Sequence, residues 1–565
     1  MKSRWLAYVL LGAVSFGLAC KGGDGGGSFL EIIEFFPENG REDVQVEVRI
    51  AVRLSDRIDP ATLTSETFFL TDEDGAVVPS TVTILDEPNA EPSQRGTAAE
   101  LKPVAPLAVI TNFTVTVTTD LMSTGGLTLE EDFEWRFKTL DAEWGESEWI
   151  EPLGPGTSST QEIAIDEQLN AIAVWEIDDG VGTSIVANRY TRTDLWGEPE
   201  PIDDGNGDAT NPQLAVDGAG NGFAVWVRTE AGTTNIWTTR YDAEQGSWDT
   251  PALLQNGDVT RARDPSVAAD RLGNAVAVWV QIDLDTGREV IRAIRYEPGT
   301  GWGDAVTIGV PGTFIAAGST AVGMDDDGNA IAVWDPPAGL LWANHYTPGS
   351  DWGGAVPIKS DGTTSADGFR LDVGANGDAF VIWVQDNGDE MEPRNDIWSA
   401  RFAGGVWSDP GRIDRHDGGD KSAPDIAVDG AGVAYAVWSQ IDPAFANIWA
   451  AQYTPDTPGL WGIPELIEPE NPDPNEDGDA TVPRVEVNRA GNAFVVWRQI
   501  WDSWGSVWSN RRDPLDTTWR TAERIEDIPE TAFLPTIAVD EARHAHALWL
   551  HSESDTNKLR TSRFE

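Results

Sequence analysis

An all-β protein is expected, a small β-sandwich followed by an eight-bladed β-propeller. Three observations predict it. First, the stretch Asp217-Gly-Ala-Gly-Asn-Gly-Phe-Ala-Val-Trp226 recurs with drift along the C-terminal three quarters of the chain. Its copies end at Trp175, Trp226, Trp279, Trp334, Trp383, Trp438, Trp497 and Trp549, spaced 49 to 59 residues apart. A strand-like motif at such a period marks a propeller array. Second, residues 29–141 hold a series of short alternating apolar runs separated by turn residues, the pattern of an Ig-like sandwich. Third, a repeated tryptophan-led strand is missing after the last copy and present before the first, which predicts a ring closed by an N-terminal strand.

The chain opens with an export signal. Lys2 and Arg4 precede an apolar segment, Trp5 to Leu18, too short to span a bilayer comfortably. Residues 1–19 read as a signal peptide. Gly17-Leu18-Ala19-Cys20 resembles a bacterial lipobox, which implies acylation of Cys20. Gly17 stands where that pattern usually has leucine, and the alternative is an ordinary signal peptide cleaved nearby. Lys21 after the cysteine implies, by the same resemblance, outer-membrane sorting; without lipidation the protein is secreted. Residues 20–28 then form the lipidated cysteine and a Gly-rich tether. Cys20 is the single cysteine, so intrachain disulfides and thiolate metal sites are excluded.

The net charge is 39 − 94 = −55. Nucleic acid and anionic lipid both require basic neutralisation, so neither is an expected partner. The acidity fits a solvated surface or binding of divalent cations.

In residues 29–141 the alternating runs are Phe29–Phe36, Val46–Leu54, Thr67–Thr71, Val77–Leu85, Ala99–Val104, Phe113–Thr118 and Phe133–Thr139. Pro37, Asn39-Gly40, Asp43-Val44, Asp59-Pro60-Ala61-Thr62 and the closing Phe133-Glu-Trp135-Arg-Phe137 carry a resemblance to the bacterial Ig-like domain of S-layer and surface proteins. That resemblance implies a spacer or interaction module, not a catalyst. Asn112-Phe-Thr114 matches a glycosylation acceptor, but Thr114 reads as a strand residue.

Residues 142–565 parse into four-stranded repeats. In the second copy, Leu214–Val216 is strand one, Asp217–Gly220 the turn, Asn221–Trp226 strand two, Asn235–Tyr241 strand three and Trp248–Leu254 strand four. Alternation places Phe223 and Val225 on one face, and Gly222, Ala224 and Trp226 on the other. Asp217 suits an Asx-turn and Gly220 a positive φ. Leu169 and Arg543 replace that glycine in the first and last copies. Strand four opens at Trp196, Trp248, Trp302, Trp352, Trp407, Trp461 and Trp519. Trp149-Ile-Glu-Pro152 is expected to supply the eighth and complete the last blade, removing exposed sheet edges. The units resemble propeller repeats of the sialidase-like superfamily, although the Ser-x-Asp-x-Gly-x-Thr-Trp box is absent.

The in-register tryptophans read as inter-blade packing. Trp501 and Trp504 break the register, in the loop between strands two and three, where two aromatics could stack on sugar rings or peptide. The alternative there is an extended hairpin with its own small core. Gly-Asp pairs recur between blades, at Gly207-Asp208, Gly419-Asp420 and Gly478-Asp479. Asp473, Asn475, Asp477 and Asp479 have the alternate-oxygen spacing that opens a Ca²⁺ loop, but Arg484 stands where its last carboxylate should be. An acidic solvated loop is the competing reading. Asp203-Asp204-Gly-Asn206-Gly-Asp208 is a weaker version. His544, His546 and His551 lack a convincing zinc spacing. No nucleophile elbow, phosphate loop or H-E-x-x-H is found. Arg and Tyr fall mostly on strand three, usually away from a propeller axis, and the inner-strand cores read as nearly uniform and apolar, which leans against catalysis.

The leading expectation is a non-enzymatic envelope lipoprotein. Its Ig-like module would be a spacer, and its propeller would bind glycan or protein. The alternatives are an extracellular propeller enzyme acting on carbohydrate and a structural surface component. Fold alone decides none of these.

Overall fold

The computed structural model describes residues 29–565, except 47, 74, 86–93, 105–106, 108–110, 153–155, 256–260, 284, 310–318, 337–338, 360–365, 389–392, 416–417, 443–444, 456–459, 469–477, 502–503, 515, 517, 527, 529–530 and 554–555. It is all β, with no helix among the described residues. The chain divides into two compact units, one up to Glu143 and one over Trp144–Phe564.

The first unit is a sandwich of two four-stranded sheets. One runs Ile32–Phe36, Ile50–Leu54, Ala98–Pro103, Ser80–Ile84. The other runs Arg41–Val44, Phe133–Thr139, Asn112–Val117, Phe68–Thr71. All seven expected strands form. Arg41–Val44 is an eighth, pairing parallel to Phe133–Thr139. Alternation drives the core: Ile50, Val52 and Leu54 are buried while Ala51 and Arg53 are less so. Trp135, Phe137, Phe113 and Phe68 are buried together in its core.

The second unit is a succession of eight sheets, one per repeat. Their first strands are Thr157–Ile165, Asp208–Val216, Ala262–Ala269, Thr320–Met324, Asp367–Val373, Lys421–Val428, Ala480–Val487 and Ala532–Val539. In every sheet the first, second and third strands pair antiparallel in sequence order. The Asx-turn forms as expected. Asp217 Oδ1 accepts the N–H groups of Ala219 and Asn221, both at 2.9 Å, and Gly220 has φ +85°. A Cβ on Gly220 would lie 2.6 Å from Asp166 Oδ2, so the glycine also makes room for the preceding sheet's turn. Leu169 and Arg543 adopt the same positive φ without being glycine.

Both faces of the second strands are buried. Phe223, Val225 and Val227 pack on the third sheet, whereas Ala224 and Trp226 pack on the first. All eight repeat tryptophans are at most 2% exposed, and buried clusters join each sheet from the third to the seventh to its neighbour. Another cluster joins the eighth sheet to the first through Trp175, Leu548 and Leu550. Four of the buried indoles donate to a glutamine two residues on: Trp279 to Gln281, Trp383 to Gln385, Trp438 to Gln440 and Trp497 to Gln499. Position i+2 lies on the same strand face, so the glutamine satisfies the N–H that burial would orphan.

Two expectations need correction. The fourth strand is not continuous. In the second sheet it is Ser247–Trp248 and Ala252–Leu253, both pairing with the third strand. Pro251 between them cannot donate to the ladder. The N-terminal strand does pair with the last sheet, Glu148–Trp149 against Arg560 and Thr561. However, Trp149 is not its counterpart of Trp196. Trp144 bridges Phe564 with ring centroids 5.6 Å apart, as Trp196 meets Tyr190 at 5.8 Å. The correct alignment sets Trp144-Gly-Glu-Ser-Glu-Trp-Ile150 beside Trp196-Gly-Glu-Pro-Glu-Pro-Ile202. Trp149 instead lies under the Arg560 guanidinium and edge-on to His551.

Seven of the first strands carry a bulge absent from the sequence reading. A residue with positive φ sits in each, at Thr160, Asn211, Asp264, Gly368, Ala423, Val482 and Leu534. The ladder register shifts at the same places. Six of the seven are not glycine, a recurrent strain of about 1–3 kcal/mol each.

Candidate functional site

Two loci stand out from the repeated frame. The first is a cavity of about 260 Å³ lined by the ends of the first strands of all eight sheets, among them Ile165, Val216, Ala269, Met324, Val373, Val428, Val487 and Val539. Its mouth carries ion pairs between sheets far apart in sequence. Arg489 reaches Asp326 at 2.6 Å and Glu541 at 3.2 Å, and Arg271 pairs with Glu167.

Deeper in, the first strands are not uniformly apolar, which corrects the sequence reading. Counting back two residues from the turn gives alanine or glycine in six sheets but Asp372 and Glu486 in two. Counting back four gives Glu162, Gln213, Ser266, Ala321, Arg370, Asp425, Arg484 and Thr536. Part of this row is structural. Asp372 Oδ2 accepts the N–H of Val428 at 2.7 Å, Asp425 Oδ2 that of Val485 at 2.9 Å, and Ser266 Oγ that of Val322 at 3.2 Å. Each side chain caps an edge donor of the next sheet.

Charge is concentrated among them. Arg370 Nε and Arg484 Nη1 lie 3.8 and 4.0 Å from Asp425. Enclosure by protein pushes the Asp372 carboxyl up to about 6. Enclosure, then the charges of Asp372, Asp425 and Glu162, holds Glu486 well above the usual range, although water reaches it through the cavity. Burial also raises Glu162, against the opposing pull of Arg484 and Arg370.

The second locus is the hairpin of the seventh sheet, Ala493–Trp501 and Trp504–Arg512. Trp501 and Trp504 are not in an irregular loop. They are the last and first strand residues, paired across the tip. The Trp501 side chain lies outside the described residues. Trp504 is 55% exposed and is the one exposed tryptophan among the described residues. Arg498 stands on the opposite face of the hairpin from Trp504, the side it shares with Gly505. A Cβ on Gly505 would be 2.6 Å from Arg498 Nε and 3.1 Å from Nη2.

The remaining candidates resolve as follows. Cys20, Asp473, Asn475 and Asp477 lie outside the described residues. Asp479 Oδ1 accepts the Ala446 N–H at 2.9 Å. Asp420 does the same for Asn395 and Asp208 for Thr183, so the Gly-Asp theme latches one sheet to the hairpin of the previous one. Among the described residues no group of three His, Cys, Asp or Glu side chains is placed to hold a metal. His544 Nδ1 is 2.9 Å from Asp540 Oδ2, the place asparagine fills in other turns. His546 packs edge-on against Tyr190 and Trp196. The strand-three Arg and Tyr pairs bridge sheets: Arg295 donates to Tyr346 and Arg401 to Tyr453, both at 2.9 Å, and Arg563 donates to Tyr190.

Residues 29–139 match the bacterial Ig-like domain family. No curated protein matches the chain. Among solved structures, the chain is similar to a protein of unknown function from Dyadobacter fermentans. That likeness has 10% identity over 75% of this chain and 99% of the other, with a TM-score of 0.38. A polysaccharide lyase described as an ulvan lyase is 11% identical over 64% of this chain and 94% of its own, at TM-score 0.41. A Hadza microbial sialidase is 10% identical over 81% of this chain and 96% of its own, at TM-score 0.34.

Proposed function

We propose that the eight sheets form a closed eight-bladed propeller which binds extracellular saccharide without turning it over. In this reading the Ig-like domain is a spacer, and Cys20 carries a lipid anchor in the outer membrane. Closure is supported by the pairing of Glu148–Trp149 with the last sheet and by the Arg563–Tyr190 contact between the eighth sheet and the first.

One observation carries the binding role. In a protein that buries its repeat tryptophans, Trp504 is held out at a hairpin tip. A rigid, exposed indole is the group that stacks on a sugar face. The arginines at the cavity mouth are already committed to carboxylates, which favours a plugged axis over a catalytic one.

Glu486 favours a second reading, an enzyme acting on carbohydrate. Enclosure and the neighbouring carboxylates raise its pKa well above the usual range, the direction a general acid needs. Glycan-array binding and product release from the same polysaccharides separate the two. Binding lost in Trp504→Ala, with no product, is the expected result. Turnover abolished by Glu486→Gln would replace it with the enzymatic reading. Labelled fatty acid should enter the wild type and not Cys20→Ser; equal labelling would remove the anchor.

A further inference from the structure

Three residues before each repeat tryptophan, the second strand sends a side chain towards the aromatic residues of the next sheet. That residue is isoleucine in two sheets, aromatic or histidine in five, and valine, Val276, in the third. Phe223 lies 5.0 Å from the Tyr296 ring and 6.2 Å from that of Trp302. Phe380 meets Tyr453 and Trp461 at 4.9 and 5.7 Å. Val276 is the smallest of the set. It shares a buried cluster with Tyr346 and Trp352 of the fourth sheet, whose rings stand 5.7 Å apart, but it offers them no ring.

A pocket of about 300 Å³ opens at this junction, lined by Arg295, Glu297 and Asp304 of the third sheet and by Tyr346, Asp351 and Trp352 of the fourth. Arg295 is paired directly opposite Val276, so the two side chains stand on one face. In the second sheet the corresponding Arg240 lies over both Phe223 and Tyr296. Arg295 lies over Tyr346, with valine where the second ring would be. The guanidinium is held in place: its Nη1 donates to Tyr346 OH at 2.9 Å and to Glu297 Oε1 at 2.5 Å. The Glu297 side chain is 52% exposed, and Asp304 and Asp351 are exposed as well. Three carboxylates around one committed guanidinium disfavour an anionic ligand. Acceptors beside an aromatic wall suit an apolar ring edged with hydroxyls. The volume is at the lower end for small-ligand sites, which fits one ring rather than a chain.

We propose that this pocket binds one neutral pyranose residue, which stacks on the Tyr346–Trp352 wall in place of the missing ring while Glu297, Asp304 and Asp351 accept hydrogen bonds from its hydroxyls. It is a second saccharide site, on different sheets from the Trp504 hairpin, and it rests on the saccharide-binding reading above.

Calorimetric titration of the full chain carrying Trp504→Ala, with the methyl glycosides of glucose, galactose and mannose and with methyl glucuronide, tests it. At least one neutral glycoside should bind with one-to-one stoichiometry, and the glucuronide roughly tenfold or more weakly. Val276→Phe, added to this variant, copies the packing of the second sheet; it should weaken the binding at least about tenfold and leave the thermal midpoint unchanged or higher. Glu297→Gln alters an exposed side chain and should weaken the binding roughly tenfold, the scale of a hydrogen bond to a charged acceptor; it decides the matter if Val276→Phe does not fold. Glucuronide binding as tight as that of the neutral glycosides overturns the neutral assignment. An affinity that survives Glu297→Gln or folded Val276→Phe overturns the pocket and leaves saccharide binding standing. So does the absence of heat when the wild type still binds a glycan array. Neither heat nor array binding overturns both.

Discussion

Glu151 is the most direct test of how the second unit is closed. It follows the N-terminal strand and is 5% exposed. Its carboxylate accepts Ser158 Oγ at 2.7 and 2.9 Å and the Leu559 N–H at 2.7 Å, and it lies 3.5 Å from Lys558 Nζ. The stretch 151–158 and the strand around 558, about 400 residues further on, therefore meet at one side chain. Glu151→Ala leaves Lys558, 2% exposed, as an uncompensated buried cation. It also orphans the Ser158 hydroxyl and the Leu559 amide. Breaking a buried pair in this way costs about 3–5 kcal/mol. Burial alone raises the Glu151 pKa, so the ionised carboxylate is not a large net gain in itself. Removing both charges should therefore recover most of the loss. Glu151→Gln/Lys558→Met is expected to unfold within about 1–2 kcal/mol of the wild type. Guanidinium denaturation followed by tryptophan fluorescence measures all three proteins. A Glu151→Ala loss below about 0.5 kcal/mol, the size of a surface change, would refute the closure.

Two further predictions use the same assay. Burial, then the charges of Arg563 and His544, lowers His546 to about 3, so the folded state takes up its proton only far below the unfolded value near 6.5. Its contribution is intact above pH 6.5 and is lost as pH falls towards 3, by about 2 kcal/mol at pH 5. His546→Phe keeps an aromatic ring against Tyr190 and Trp196 and should flatten that part of the profile; an unchanged profile would show that His546 is not buried neutral. Gly220→Ala combines a positive φ with a 2.6 Å clash on Asp166, whereas Gly232→Ala has the same φ, +85°, in open space. The first should cost about 1–2 kcal/mol more than the second, which carries only the left-handed penalty of about 1–2 kcal/mol. Equal losses would mean that the turns of consecutive sheets do not touch.

Much of the fold was legible because it rests on local chemistry repeated eight times. Asp217 and Gly220 announce their turn, and Phe223 to Trp226 alternate as a strand must. The glutamine two places after four of the tryptophans was equally available, since i and i+2 share a face. So was the match of Trp144 to Trp196, obscured by a second tryptophan at 149. The charged row was missed for a different reason. The three residues before the turn were read as a nearly uniform apolar core despite Asp372 and Glu486, and the position four before the turn was not read at all; the departures Arg370 with Asp372 and Arg484 with Glu486 fall in only two of the eight repeats. The bulges left no mark, because Thr160, Val482 and Leu534 adopt a backbone that favours glycine.

The sequence alone determined the period, the turns, the strand alternation, the preceding Ig-like module and the excess of negative charge. These are set by nearest neighbours along the chain, or by composition. Only the tertiary structure decided which side chains converge. Glu162, Arg370, Asp425 and Glu486 are up to 324 residues apart in the chain, and their mutual fields exist only once the first strands stand side by side.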